Sequence, residues 1–291
     1  MKSMQAKDTL FYKKKTINCN GKIIDLEKPK LMAIINITPD SFYKESRYNT
    51  EDQIRQRTIQ CIEEGADIID IGAYSSRPGA KHISLEEEIK RLDKALKIIR
   101  EEGPDQVISI DTFRPEVAQH AIQNYVINII NDISGGLADE KIYDVALESN
   151  VPYIAMHMKG NPQNMQDNPV YTNVVNEIIT YFAHLTEKLF SLGMKDIIID
   201  PGFGFGKTLE HNYEILNKLG DFKMMINCPL LAGVSRKSMI YKFLNITPEE
   251  SLTGTIALNM ACLINGADIL RVHDVKETKQ VMELFNKLNE R

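Results

Sequence analysis

Apolar residues gather into eight short runs along the chain, at positions 31–38, 66–75, 107–112, 127–134, 151–158, 196–203, 228–235 and 267–274. Each run is rich in Ile, Val, Leu or Met and nearly continuous, the pattern of a strand with neither face in water. Between most runs the pattern turns helical. Val174, Val175, Ile178, Phe182, Leu185 and Leu189 recur at the spacing of one helical face and predict a helix between the fifth and sixth strands. Thr50-Glu51-Asp52-Gln53 and Ser84-Leu85-Glu86-Glu87 read as capping boxes that open helices. Thr247-Pro248-Glu249-Glu250 does the same, with proline at the first helical position. Glu63-Glu64-Gly65-Ala66-Asp67 and Ile264-Asn265-Gly266-Ala267-Asp268 resemble each other, and each suits a helix ending at glycine with a strand behind it.

Eight strands alternating with helices predict a TIM (β/α)8 barrel spanning about 31–291, with a doubly wound open sheet as the weaker alternative. Upstream, positions 9–26 alternate in character around Asn20-Gly21, a pair that favours a two-residue turn, and predict a β-hairpin over the bottom of the barrel. No stretch reads as a linker, so positions 1–291 are expected to form a single domain.

Composition narrows the function. Net charge is −5 and Lys13, Lys14 and Lys15 form the only short basic run, so no nucleic-acid partner is expected. The four cysteines, Cys19, Cys61, Cys228 and Cys262, include no C-x-x-C pair, which argues for reduced thiols in a cytoplasm and against a zinc or redox motif. No window reaches the roughly 18 apolar residues of a membrane helix, and positions 1–20 lack the apolar core of a signal peptide.

Barrel enzymes carry their chemistry at the C-terminal ends of the strands. Here those ends hold Asn36 and Thr38; Ser75, Ser76 and Arg77; Asp111 and Thr112; Asn131 and Asp132; His157; Asp200; Ser235, Arg236 and Lys237; and Arg271, His273 and Asp274. Any one of these could cap a helix or fix a turn. Polar groups at all eight ends point to a ligand site. Asp111, Asn131 and Asp200 suit the N–H edge of a flat heterocycle, while Arg77, Lys237 and Arg271 suit a phosphate or carboxylate. Acceptors are expected on one half of the mouth and cations on the other. Asp200-Pro201-Gly202-Phe203-Gly204-Phe205-Gly206-Lys207-Thr208 ends like a phosphate-binding loop but has proline where that loop needs its first glycine. Its glycines are read instead as letting backbone approach a bound ring, with Phe203 or Phe205 as an aromatic wall. His82, His120, His184 and His211 have no metal-ligand spacing and are read as surface residues, and Glu86-Glu87-Glu88 as a solvated helix start. His157 is equally compatible with the pocket and with a structural hydrogen bond.

The motifs Asn36-Ile37-Thr38-Pro39-Asp40-Ser41-Phe42, Ser75-Ser76-Arg77-Pro78-Gly79, Ser109-Ile110-Asp111-Thr112, Ile130-Asn131-Asp132-Ile133, the loop 200–207, Ser235-Arg236-Lys237-Ser238 and Arg271-Val272-His273-Asp274 together resemble those of the dihydropteroate synthase family, in order, from about position 31 onward. That family joins 4-aminobenzoate to a dihydropterin methyl diphosphate and releases pyrophosphate. The resemblance implies that Asp111, Asn131, Asp200, Lys237, Arg271, Met156, Gly233 and Phe205 bind the pterin. It implies that Asn36, Arg77, Arg271 and His273 hold the diphosphate, with Mg2+ near Asn36. It places aminobenzoate against Ser76, Arg77, Pro78, Phe205, Lys237 and Ser238, and makes Lys237, Arg271, Asp111 and Asp200 the catalytic set. A homodimer is implied as well, for which Ile256, Leu258 and Leu263 on the late helices offer apolar surface. The length leaves no room for a fused second enzyme, so a single activity is expected.

Two loops depart from the family pattern. Tyr43-Lys44-Glu45-Ser46 stands where Ser-Asp-Gly-Gly is usual, and Gly72-Ala73-Tyr74-Ser75-Ser76-Arg77 where Gly-Gly-Glu-Ser-Thr-Arg is usual. The rival readings are a methyltetrahydrofolate-dependent methyltransferase, which needs no diphosphate or aminobenzoate site, and a non-catalytic pterin-binding paralogue.

Overall fold

The computed structural model describes residues 14–38, 50–75, 82–160, 165 and 169–290. Two antiparallel strands, β1 (Thr16–Cys19) and β2 (Lys22–Asp25), precede eight parallel ones: β3 (Lys30–Asn36), β4 (Ile68–Gly72), β5 (Val107–Asp111), β6 (Ile129–Asp132), β7 (Tyr153–Met156), β8 (Ile197–Asp200), β9 (Leu231–Ala232) and β10 (Ile269–Val272). Hydrogen bonding runs β8-β7-β6-β5-β4-β3-β10-β9, and the Ile199–Leu230 bridge joins the two ends. This near-closure makes the sheet the expected barrel rather than an open doubly wound sheet. The ring's shortest member, β9, begins only after Pro229, which has no N–H to give the ladder.

Helices α1 (Glu51–Glu63), α2 (Leu85–Glu102), α3 (Pro115–Tyr125), α4 (Lys141–Ser149), α5 (Val174–Ser191), α6 (Leu209–Asn217), α7 (Leu219–Met225), α8 (Ser238–Leu244), α9 (Leu252–Ile264) and α10 (Val275–Asn289) cover the outside. The Thr50 box is complete, with Thr50 and Gln53 bonded in both directions. Ser84 caps α2 through Glu87 N–H at 3.2 Å. The Thr247–Glu250 box also forms, but it opens a 3-10 turn (Glu249–Ser251) leading into α9. The six apolar residues predicted on one face of α5 are all buried. At the paired glycine turns, Gly65 and Gly266 sit at φ +89° and +94°, where only glycine avoids a Cβ clash. Asp67 and Asp268 behind them accept the N–H groups of Leu31 and Leu230 at 2.9 and 2.8 Å, which locks helix ends to neighbouring strands. Among the described residues no helix is long and apolar enough to cross a membrane.

The hairpin turns at Asn20-Gly21, both with positive φ. Its Ile17, Cys19, Ile24 and Leu26 pack with Met32, Ile68, Val107, Ile129, Ile154, Ile198, Leu231 and Ile269, one residue from each barrel strand. Together they plug the barrel floor. Side chains repeat every second residue along a strand, so the next inward position on the eight strands carries Ile34, Asp70, Ser109, Asn131, Met156, Asp200, Gly233 and Arg271. The floor is therefore dry, and the layer directly above it is polar.

Candidate active site

Asp111 and Asn131 face each other in register at the ends of β5 and β6, and Asp200 ends β8 opposite Met156. Arg271 rises from β10 into the same space. Its Nη2 lies 2.8 Å from Asp111 Oδ2 and 2.6 Å from Asp70 Oδ2, and its Nε donates to Asp70 Oδ2 at 2.7 Å. Asp70, fully buried on β4, also accepts both short contacts of the Asn131 amide nitrogen, at 3.1 and 3.3 Å. One carboxylate thus orients two predicted site residues. Asp70 lies mid-strand, away from the polar strand ends, and its one signal in the sequence is a charged residue inside an apolar run, which is costly to bury unless partnered.

Lys237 is the N-cap of α8 and points back into the barrel. Its ammonium donates to the Phe203 carbonyl at 2.5 Å and lies 4.7 Å from the Phe205 ring centre. Gly233 lies beside both cations, and a Cβ there would come within 3.9 Å of this ammonium and 3.7 Å of Arg271 Cβ, ordinary contact distances. Phe205 packs on Ile133, Met156 and Met158, whereas Phe203 is in the core, so the aromatic wall is Phe205. Ser238 follows Lys237 as the first residue of α8. Asn36 stands half-buried at the end of β3. His273 is held by Ser235, whose hydroxyl lies 3.0 Å from its Nδ1 and accepts its backbone N–H at 3.2 Å.

Electrostatics follow from this packing. Burial pushes the Asp111 carboxyl up to about 7, against the pull of Arg271. Burial also raises Asp200, with Lys237 opposing it. Lys237 is pushed down to about 8 by burial, resisted by Asp200. His273 falls to about 3 through burial and the nearby Arg271, Arg236, Arg57 and Lys237, which makes it a neutral ring at physiological pH. Acceptors and cations are interleaved around the mouth rather than segregated into halves, because each buried charge needs an opposite neighbour.

Several strand-end residues are structural. The Arg236 guanidinium grips Asp274 at 2.7 Å and the carbonyls of Pro248 and Glu249. His157 meets Lys207 Nζ at 3.2 Å and packs against Tyr181, so its structural reading holds. Lys207, nearly fully buried, also donates to the carbonyls of His157, Gly202 and Phe205 and pins the glycine loop from beneath. Gly202 at φ +70° has no space for a Cβ, which would strike the His157 carbonyl oxygen. Gly202→Ala is expected to cost about 2–4 kcal/mol of stability in denaturant unfolding, since strain and overlap add. His211 closes a capping box with Thr208 rather than merely facing solvent. Glu88 is fully buried between Thr112 and Arg114, not solvated, because α2 turns that position toward the loop after β5. Ser76, Arg77 and Pro78, with Tyr43, Lys44, Glu45 and Ser46, lie outside the described residues.

Against known proteins, the pterin binding enzyme family matches residues 32–273. The chain belongs to this family. It is 40% identical over 266 residues to the dihydropteroate synthase of Escherichia coli (strain K12), covering 91% of this chain and 93% of that one. Its fold superposes on the Yersinia pestis dihydropteroate synthase in a sulfonamide drug complex with TM-score 0.89 at 35% identity, covering 94% and 98% of the two chains. Xanthomonas albilineans dihydropteroate synthase with 4-aminobenzoic acid superposes with TM-score 0.86 at 32% identity, covering 95% and 99%. Asp111, Asn131 and Asp200 stand at the strand ends above the apolar floor.

Proposed function

We propose that the chain is a dihydropteroate synthase, a transferase that condenses 4-aminobenzoate with (7,8-dihydropterin-6-yl)methyl diphosphate to give 7,8-dihydropteroate and pyrophosphate. The observation that carries this reading is the convergence of Asp111, Asn131, Asp200, Lys237 and Arg271 in one barrel mouth. In this reading Asp111, Asn131 and Asp200 accept from the pterin N–H edge, and Met156, Gly233 and Phe205 border its faces. Lys237 donates to the pterin carbonyl or ring nitrogen. Arg271 and His273 face the diphosphate, together with Asn36 and Arg77. Aminobenzoate lies against Ser76, Arg77, Pro78, Phe205, Lys237 and Ser238.

The methylene carbon–oxygen bond breaks toward diphosphate and leaves a cation delocalised over the pterin, which the carboxylates stabilise. The arylamine, unprotonated at neutral pH, then forms the carbon–nitrogen bond and loses a proton to water. No strong general base is required, which suits a mouth whose histidine is neutral and whose carboxylates are committed to hydrogen bonding.

Magnesium fits the donor set. The half-buried Asn36 amide offers one hard oxygen at the mouth, and Mg2+ is ordinarily completed by substrate phosphates and waters rather than by a protein cage. When bound, it would neutralise charge on the leaving diphosphate. A homodimer is supported by exposed Phe243, Leu244, Ile264, Leu284 and Leu288 on α8, α9 and α10. Leu263 does not contribute, being buried in the core. Four buried free thiols are in keeping with a cytoplasmic location.

The test is pyrophosphate release by purified protein given the pterin methyl diphosphate and magnesium. Release is expected to require aminobenzoate. Binding of the pterin without release would overturn the synthase reading in favour of a methyltransferase or a binding-only paralogue.

A further inference from the structure

Tyr74 follows β4 at the near end of the second mouth loop, and His82 stands at its far end. The Tyr74 hydroxyl lies 3.0 Å from His82 Nδ1. Arg114, just past β5, reaches the same ring: its Nη2 is 3.2 Å from His82 Nε2 and donates to the Ile83 carbonyl at 2.8 Å. Arg114 is itself anchored, since Nη1 donates to Glu88 Oε2 at 2.7 Å while Thr112 Oγ1 donates to Glu88 Oε1 at 2.9 Å. Phe113 meets the Tyr74 ring edge to face at 5.0 Å, and the guanidinium lies 5.4 Å from that ring's centre.

The His82 ring is thus bonded on both sides, to the Tyr74 hydroxyl through Nδ1 and to the Arg114 guanidinium through Nε2.

We propose that Tyr74, His82 and Arg114 form a positioning group that ties both ends of the second mouth loop to the segment beginning at Asp111. The tie bears on the aminobenzoate side of the proposed site rather than on its pterin side. It rests on the function proposed above and concerns the placement of the acceptor rather than the chemistry itself.

Tyr74→Phe removes the hydroxyl and keeps the ring on Phe113. Two readouts separate this proposal from the synthase reading. The first needs no turnover: the rate at which trypsin cuts the native full chain after Lys81. It is expected to rise about fivefold in Tyr74→Phe, the order of one lost hydrogen bond, and at least as much in His82→Ala, which loses two, with the double variant no faster than His82→Ala. The second is kinetic: the KM for aminobenzoate is expected to rise about fivefold while the KM for the pterin diphosphate holds. Unchanged cleavage, or additive effects in the double variant, overturns the tie. Faster cleavage with an unchanged aminobenzoate KM overturns its positioning role. A wild-type chain with no turnover fails the synthase reading alone, and the cleavage arm still decides whether the tie exists.

Discussion

Lys237→Ala is expected to lower kcat/KM for the pterin diphosphate by about 10²–10³-fold, the usual cost of removing one preorganised donor from a water-excluded site. The side chain is committed before any ligand arrives, with its ammonium against the Phe203 carbonyl and over the Phe205 ring. No reorganisation is then needed as charge develops on the pterin. The pH dependence follows from burial, which brings the ammonium down to about 8. Below that value the group is a cation and a donor, and above it the charge is lost. If Lys237 works as a cation, kcat/KM falls as pH rises through about 8, and the Ala variant shows no such limb. A rate that instead climbs through the same range would identify the neutral amine as the working form and sink the donor role. Wild-type-like turnover in the Ala variant would remove Lys237 from the catalytic set.

Sequence and structure agree where chemistry and period speak together. Eight apolar runs place eight strands because only a strand buried on both faces tolerates continuous Ile and Val, and their polar ends become the mouth. Asn20-Gly21 gives away the hairpin because its positive φ values are what such a pair accommodates. Contacts between distant elements were harder to read. Glu88 looks like part of a solvated triplet, and nothing local says that Arg114, 26 residues on, will bury it. Lys207 looks like part of a degraded phosphate loop until His157, from the neighbouring strand, is seen packed onto it. The late helices carry apolar residues in quantity, but α9 is apolar nearly all round, so the pattern could not separate buried Leu263 from exposed Ile264. Asp111, Asn131, Asp200, Lys237 and Arg271 are legible as polar residues of neighbouring strand ends. Their pairing is not, because pairing depends on the depth of each strand in the barrel.

Asp70 is the consequence of that depth, and Asp70→Asn is expected to be the most damaging isosteric change in the mouth. Both carboxylate oxygens accept, taking two bonds from Arg271 and two contacts from Asn131, in a position without solvent. An amide has one acceptor oxygen, so its NH₂ must face either the guanidinium or the Asn131 amide, donor against donor. Breaking a buried ion pair from one side costs about 3–5 kcal/mol, moderated here because Asp111 still holds Arg271. The expected result is a loss of about 2–3 kcal/mol in denaturant unfolding and a fall in kcat/KM of at least about tenfold. Two further readouts separate positioning from mere destabilisation. Asp70 and Arg271 act as one unit, so the Asp70→Asn/Arg271→Ala pair should be much less damaging to turnover than the product of the single effects. The Asp70 charge is also one of the influences that raise Asp111, after burial. Removing it lowers the Asp111 carboxyl from about 7, so any acid limb of kcat/KM that reports Asp111 moves to lower pH. Additive single effects with an unmoved acid limb would reduce Asp70 to a structural charge. A shifted limb with non-additive turnover would make it the residue through which the barrel's polar layer aims both the arginine and the asparagine at the pterin.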